Sequence, residues 1–418
     1  MRGYTYKLPS QSQKKNFIFN MLGSLTNAIV SLSLMIVVSY ITNSAVAGVF
    51  SVAFSTSQMM YTVCVFEMRN IQVTDAKREF SFEHISMFRI MTIVAMWLFF
   101  AVFVTIKNFD KETILVMIAI TMYMSVAAIS DLFQGNLHRN GYLSIAGQSL
   151  AGQVAFMAIA FSTTLIITKS LLFAAISMPI VIIVWIFVHD IPFNNNFNKF
   201  KPQFKFDAQK KMFLCAAPLF LSSFLHQYIF NSPKYAIQDL LSKTDQAHYG
   251  YLVMPVFAIN LLSLFVFRPQ LISLSDDWAK GNIKSFNKTA VKLYAWVGLV
   301  TIAALIGGYL LGIPVLQILY NANLADKKMI FMVLLLSGGF SAASTLTLTL
   351  FITMRKQKLC LIAYSVTIIF ALIMPNIMTA KLGLMGAALS YLCEMAMLFV
   401  IMFILLLLNI KRGDRKND

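Results

Sequence analysis

The chain has 418 residues, of which 58% are apolar and only 12% charged, with a formal net charge of +17. Soluble domains carry about 25% charged residues, so this composition, with a mean hydropathy of +0.73, excludes an ordinary water-soluble protein. The four cysteines, Cys64, Cys215, Cys360 and Cys393, form no CxxC pair and show no metal-ligand spacing. A disulfide framework is thereby excluded, and no metal or cofactor is expected.

A helix crossing about 30 Å of hydrocarbon needs about 20 apolar residues. Runs of that kind are predicted at 17–41, 46–66, 90–106, 114–130, 145–168, 170–188, 212–232, 251–267, 293–316, 329–354, 359–380 and 384–408. Only the last contains an acid, Glu394. The polar, basic residues 1–16 and the long run that follows do not read as a cleaved signal peptide. With the N-terminus placed in the cytoplasm, 26 of the 34 Lys and Arg residues fall in cytoplasmic segments, the bias expected of inner loops. Both termini are therefore expected to be cytoplasmic.

The long polar segment 189–211, with Asn194, Asn195 and Asn196 and five lysines, follows the sixth span. It divides the chain into an expected six-helix lobe at 1–188, a cytoplasmic linker at 189–211 and a second six-helix lobe at 212–418, the repeat plan common in transporters. A faint internal match supports this. At an offset of 199 residues, Arg69 falls on Arg268 and Phe50 on Tyr249.

Polar groups within hydrocarbon are costly and usually face a bundle interior or a water-filled cavity. In the first span Asn20, Ser24, Asn27 and Ser31 are spaced to share one helical face. They either line a lumen or join packed helices by hydrogen bonds. In the seventh span Ser223, His226, Gln227 and Asn231 share a face, Pro218 and Pro233 interrupt the helix, and Lys234 follows. His226 is either a ligand contact or a satisfied structural group. Arg69, with Asn70 and Gln72 beside it, and Arg268 close their spans on the cytoplasmic side. Each arginine either snorkels to lipid phosphate or faces a vestibule where its planar fork would bind a diphosphate. Glu394 is either a candidate ion-coupling group or hydrogen-bonded to a neighbouring helix. The polar segment Asp131–Gly141 after the fourth span is expected at the inner surface, as a headgroup contact or simply a loop.

No GxxxxGK[ST] motif, HExxH motif or catalytic triad spacing occurs in the sequence, and the segments outside the spans are short. An enzyme with catalytic residues is not expected. Neither is a nucleic-acid partner.

Several segments together resemble a known family. Arg69-Asn70-Ile71-Gln72-Val73-Thr74-Asp75 is similar to an R-N-aromatic-Q-x-[ST]-D segment, with Ile71 in place of the aromatic. Asp131-Leu132-Phe133-Gln134-Gly135, then His138-Arg139 and Ile145-Ala146-Gly147, follow the fourth span. Asn231-Ser232-Pro233-Lys234-Tyr235-Ala236-Ile237 resembles an N-x-P-K-Y-x-I segment, although Gln238 stands where an acid is common. Tyr249-Gly250-Tyr251, Met254-Pro255 and Phe267-Arg268-Pro269-Gln270 complete the series. In this order, over roughly residues 15–290, they resemble the Wzx-like polysaccharide flippases of the multidrug/oligosaccharidyl-lipid/polysaccharide exporter superfamily. The resemblance implies an all-α polytopic membrane protein of 12 transmembrane helices in two six-helix lobes around a central cavity. It implies a bacterial plasma-membrane flippase carrying an undecaprenyl-diphosphate-linked oligosaccharide by alternating access, for cell-surface polysaccharide biosynthesis. The partners implied are that polyprenyl-diphosphate-linked glycan, the lipid bilayer and other polysaccharide-assembly membrane proteins. Two alternatives remain. One is a multidrug/toxin extrusion antiporter of the same superfamily, which would be expected to place carboxylates in its cavity. The other is a membrane glycan polymerase or ligase, which would need a long outer loop.

Overall fold

The computed structural model describes residues 5, 6, 8, 12–75, 78–107, 109–356 and 358–414; the side chains at 261, 264–266, 268, 269, 271, 272 and 411–414 are outside the description. The described chain is helical, without strands. In order the helices are α1 (Gln13–Ile41), α2 (Ser44–Val65), the short α3 (Met68–Thr74), α4 (Phe82–Lys107), α5 (Lys111–Arg139), α6 (Leu143–Thr168), α7 (Leu171–Trp185), α8 (Ile191–Asn194), α9 (Phe206–Leu240), α10 (Lys243–Ala279), α11 (Ile283–Gly307), α12 (Ile313–Tyr320), α13 (Lys328–Thr353) and α14 (Lys358–Asp414). Ten segments of the described residues are long and apolar enough to cross a membrane. One of them spans both halves of α14, which is broken at Gly383 (φ 58°); glycine tolerates that left-handed geometry. Together with α10, every predicted span thus lies in a long helix of a multi-pass membrane protein.

The helices outrun the charge-free runs that predicted them. α4 begins at Phe82 and carries Arg89 inside it, and α5 continues through Asp131 to Arg139. The expected surface loop after the fourth span is therefore the end of a helix, with Asp131 through Leu137 all buried. Segment 189–211 includes buried and helical residues. Asp190 and Asn194 are buried, and residues from Phe206 onward belong to α9. Two π turns, Ile186–Asp190 and Gly308–Gly312, each end two residues before a proline, Pro192 and Pro314. Proline lacks an N–H and crowds the carbonyl four residues back, and widening the preceding turn relieves both problems.

The chain divides into two compact units, residues 1–224 and 225–418, with the division inside α9. In the first unit α1 lies against α6 at very short range. A Cβ on Gly23 would come within 2.7 Å of the Gly147 carbonyl oxygen, and one on Gly147 would strike the Phe19 carbonyl. In the second unit α13 packs against α10, α11 and α14, with Ser337, Gly338, Gly339 and Ala342 buried along it.

Candidate functional site

α2 and α3 are one spanning segment with a sharp break. Phe66 (φ 48°) and Glu67 (φ 53°) are both left-handed, a geometry that costs a residue with a Cβ about 1–2 kcal/mol. The surroundings supply the compensation. The Phe66 ring stacks on Phe220 at 4.1 Å and meets Phe88 edge-on at 5.6 Å. The Glu67 carboxylate accepts from Ser223 Oγ at 2.6 Å and from Asn70 Nδ2 at 2.7 Å.

The break turns α3 toward α5, so that Arg69 Nη1 donates to Asp131 Oδ1 at 2.8 Å and to Gln134 Oε1 at 3.2 Å. The other oxygen of Asp131 accepts from Arg89 Nη2 at 3.0 Å, and Arg89 Nη1 donates to the Cys64 carbonyl at 2.7 Å. Two guanidinium groups thus share one carboxylate, and the triad keeps one positive charge. Arg89 is 2% exposed, whereas Arg69 leaves 31% of its side chain open.

The hydrogen bonds continue inward. Gln134 Nε2 donates to Ser130 and Ser149, both at 3.1 Å. Both hydroxyls then donate to Asp190, at 2.5 and 2.6 Å, and His189 Nδ1 lies 3.0 Å from the same carboxylate. The donors run in one sense from Arg69 to Asp190, so each bond polarises the next. Toward the end of α5, Arg139 pairs with Asp75 at 2.8 Å and donates to the Phe80 carbonyl. Burial opposes the charge on Asp75, but the backbone N–H groups of Phe80 and Glu79 and the Arg139 guanidinium outweigh it and hold its carboxyl below the ordinary value. That contribution to stability is present above the ordinary carboxyl range and fades as pH falls through it.

The remaining sequence candidates divide. Asn20, Ser24 and Asn27 are exposed and Ser31 is half-buried. The Ser24 and Ser31 hydroxyls bond to carbonyls of their own helix, Asn20 and Asn27. Those two hydroxyls are turned onto α1 itself. Gln72 is a correction: it is 1% exposed, donates to the Leu132 carbonyl and packs on Gly135, so it lines no open space.

In the second unit His226 and Gln227 are half-buried, and the imidazole meets the Tyr364 ring edge-on at 5.7 Å. Asn231 and Lys234 are buried, not open as expected of cavity residues. The Asn231 amide is turned back onto the Gln227 carbonyl and the Lys234 ammonium lies 5.9 Å from the Phe230 ring. The Arg268 side chain lies outside the described residues.

Glu394 is fully buried and accepts from Ser232 Oγ at 2.8 Å. Its Oε2 and the hydroxyls of Tyr249 and Tyr391 have no hydrogen-bond partner among the described residues. This is a closed carboxyl site with no cation paired to it in those residues. Ser232 as its partner has no separate signal in the sequence, because the two lie 162 positions apart. Arg89 carries no such signal either, because it sits at the edge of a charge-free run. No group of three or more His, Cys, Asp or Glu able to hold a metal occurs among the described residues.

Comparison with known structures locates this architecture. The chain is similar to a multidrug resistance MATE family transporter of the MOP superfamily in an inward-facing conformation, with a TM-score of 0.69 at 11% identity over 96% of both chains. It is also similar to the Vibrio cholerae MATE transporter VcmN in its bent form, with a TM-score of 0.57 at 11% identity over 96% of this chain and 97% of that one. A second MATE structure in a bent conformation gives 0.56 at 12% identity over 96% and 95%. The fold is that of the MATE transporters. No family model matches the chain, and no curated protein sequence does so either. At this identity the likeness concerns the path of the helices, and the side chains above have to be read for themselves.

Proposed function

We propose that the protein is a flippase for a polyprenyl-diphosphate-linked oligosaccharide in the bacterial plasma membrane, working by alternating access. The observation that carries this reading is the Arg69–Asp131–Arg89 triad, which retains a positive charge and leaves about a third of the Arg69 side chain open. An exposed guanidinium held at a fixed angle suits a diphosphate, because its fork gives paired charge-assisted bonds. The α1 stripe of Asn20, Ser24, Asn27 and Ser31 offers sugar hydroxyls both donors and acceptors. Both termini lie in the cytoplasm on this reading, where the lipid bilayer and other polysaccharide-assembly membrane proteins are the partners.

The alternative, a multidrug extruder, draws its support from the fold likeness. Organic cations need open carboxylates. Here Asp131 is neutralised by two arginines, Glu67 is held by Ser223 and Asn70, and Glu394 is enclosed. This distribution favours an anionic substrate.

The test is movement of a fluorescent polyprenyl-diphosphate-linked oligosaccharide between leaflets of liposomes holding the purified protein. Losing a hydrogen bond to a charged group costs about 1.5–3 kcal/mol, so Arg69→Ala is expected to slow transfer at least tenfold. Transfer no faster than in empty liposomes, alongside efflux of an organic cation, would replace this reading with the extruder.

Glu394 is proposed as the coupling group. Glu394→Gln keeps the Ser232 bond but cannot exchange a proton. It is expected to remove any acceleration of transfer by an imposed pH gradient while leaving the fold intact. A variant that still responds fully to the gradient would assign Glu394 a purely structural role.

A further inference from the structure

The second unit carries an open groove of about 820 Å³ between α11, α13 and the second half of α14. On α11 the lining runs from Asn287 to Leu305, and on α14 from Phe399 to Ile410. From Asn287 to Leu305 the helix rises about 27 Å, close to the thickness of the hydrocarbon core. The wall is almost entirely carbon. The Tyr294 hydroxyl is bonded to Thr347 Oγ1 at 2.7 Å, and the Thr301 hydroxyl donates to the Val297 carbonyl at 2.7 Å. Neither needs a partner from the groove.

Charge collects at one end. Lys284 and Lys288 lie three residues before Asn287 and Val291 on α11, so helical periodicity continues the groove face through both of them. Both are exposed. Lys356 bonds to Asn409 Oδ1 at 2.9 Å beside the same end. Lys284, in the first turn of α11, opposes the helix dipole, and an anion bound beside it and Lys288 would offset that cost. The nearby Asp277 carboxylate is engaged by Ser285 Oγ at 2.7 Å.

We infer that this groove is a binding site for one anionic phospholipid, its acyl chain along α11 and its phosphate on Lys284 and Lys288. The site belongs to the leaflet that the charge count places on the cytoplasmic side, where anionic headgroups attract basic residues. It does not depend on what the protein transports.

Gly298 supplies the test. It lines the groove, and a Cβ placed on it meets nothing within 4 Å. Full-length protein would be taken from nanodiscs of equimolar phosphatidylglycerol and phosphatidylcholine, and its retained lipid weighed by native mass spectrometry. Wild type is expected to keep one phosphatidylglycerol. Gly298→Trp is expected to keep at least tenfold less, and Val291→Trp, at an exposed position on the same wall, serves if that variant does not fold. Lys284→Gln/Lys288→Gln is expected to lose headgroup preference by about fivefold per lysine. Equal retention of both lipids by wild type would overturn the proposal. So would undiminished retention by folded groove-filled variants, or displacement of phosphatidylglycerol by equimolar polyprenyl phosphate.

Discussion

Asp131→Ala is expected to cost about 3–5 kcal/mol, the penalty for removing one partner of a buried ion pair. Without Asp131, the Arg89 guanidinium has only the Cys64 carbonyl among its described partners, in a setting where 2% of the side chain reaches solvent. Arg69 would suffer less, since it is partly open and retains Gln134. The check is the thermal midpoint of the detergent-purified protein, followed by fluorescence-detected gel filtration. The order expected is wild type, then Arg69→Ala, then Asp131→Ala at much the lowest temperature. The double variant Arg89→Met/Asp131→Leu removes both buried charges and is expected to recover most of the loss while still transporting poorly, because Arg69 is no longer held. An Asp131→Ala midpoint equal to wild type would mean that the triad does not carry the packing of α3, α4 and α5.

Gly147→Leu is expected to be the most damaging substitution at the α1–α6 contact. A side chain there would run into the Phe19 carbonyl and the Asn20 amide. Those are backbone atoms, which cannot swing aside as a side-chain tip can, so α1 must move as a body. The expected cost is at or beyond the upper end of the about 1–3 kcal/mol usual for overpacking. Hydrogen exchange read by mass spectrometry would report it as lost protection in residues 19–27. Gly298→Leu, which meets open space, is the matched control and should leave protection there unchanged. Intact protection in Gly147→Leu would contradict the close approach of the two helices.

The contrast between these two glycines bears on what a sequence can reveal. Both sit in apolar helices, and nothing in their neighbours along the chain separates the one pressed against a carbonyl from the one facing empty space. The apolar runs were legible because hydrophobicity sufficient for a span is a local property. All twelve predicted runs fall in helical segments, and the helices differ from them at the ends. Counting charge-free stretches ends a helix at its first ion, whereas Arg89 and Asp131 lie inside helices because each neutralises the other across 42 positions. The break at Phe66 and Glu67 left no trace either, since neither residue is glycine. It depends on aromatic packing with Phe220 and on Ser223, far along the chain.

By itself, then, the amino-acid order determined that this is a chain of membrane-length helices with a cationic bias and a polar stripe on its first helix. Each of those is a property of residues within one turn or one span of each other. Which charges are spent and which remain available was decided only by the tertiary structure. That includes the sharing of Asp131 between two arginines, the enclosure of Glu394 with Ser232, and the burial of Gln72, Asn231 and Lys234. Pairing and burial depend on which helices come to lie side by side, and hydropathy along a single chain does not encode that.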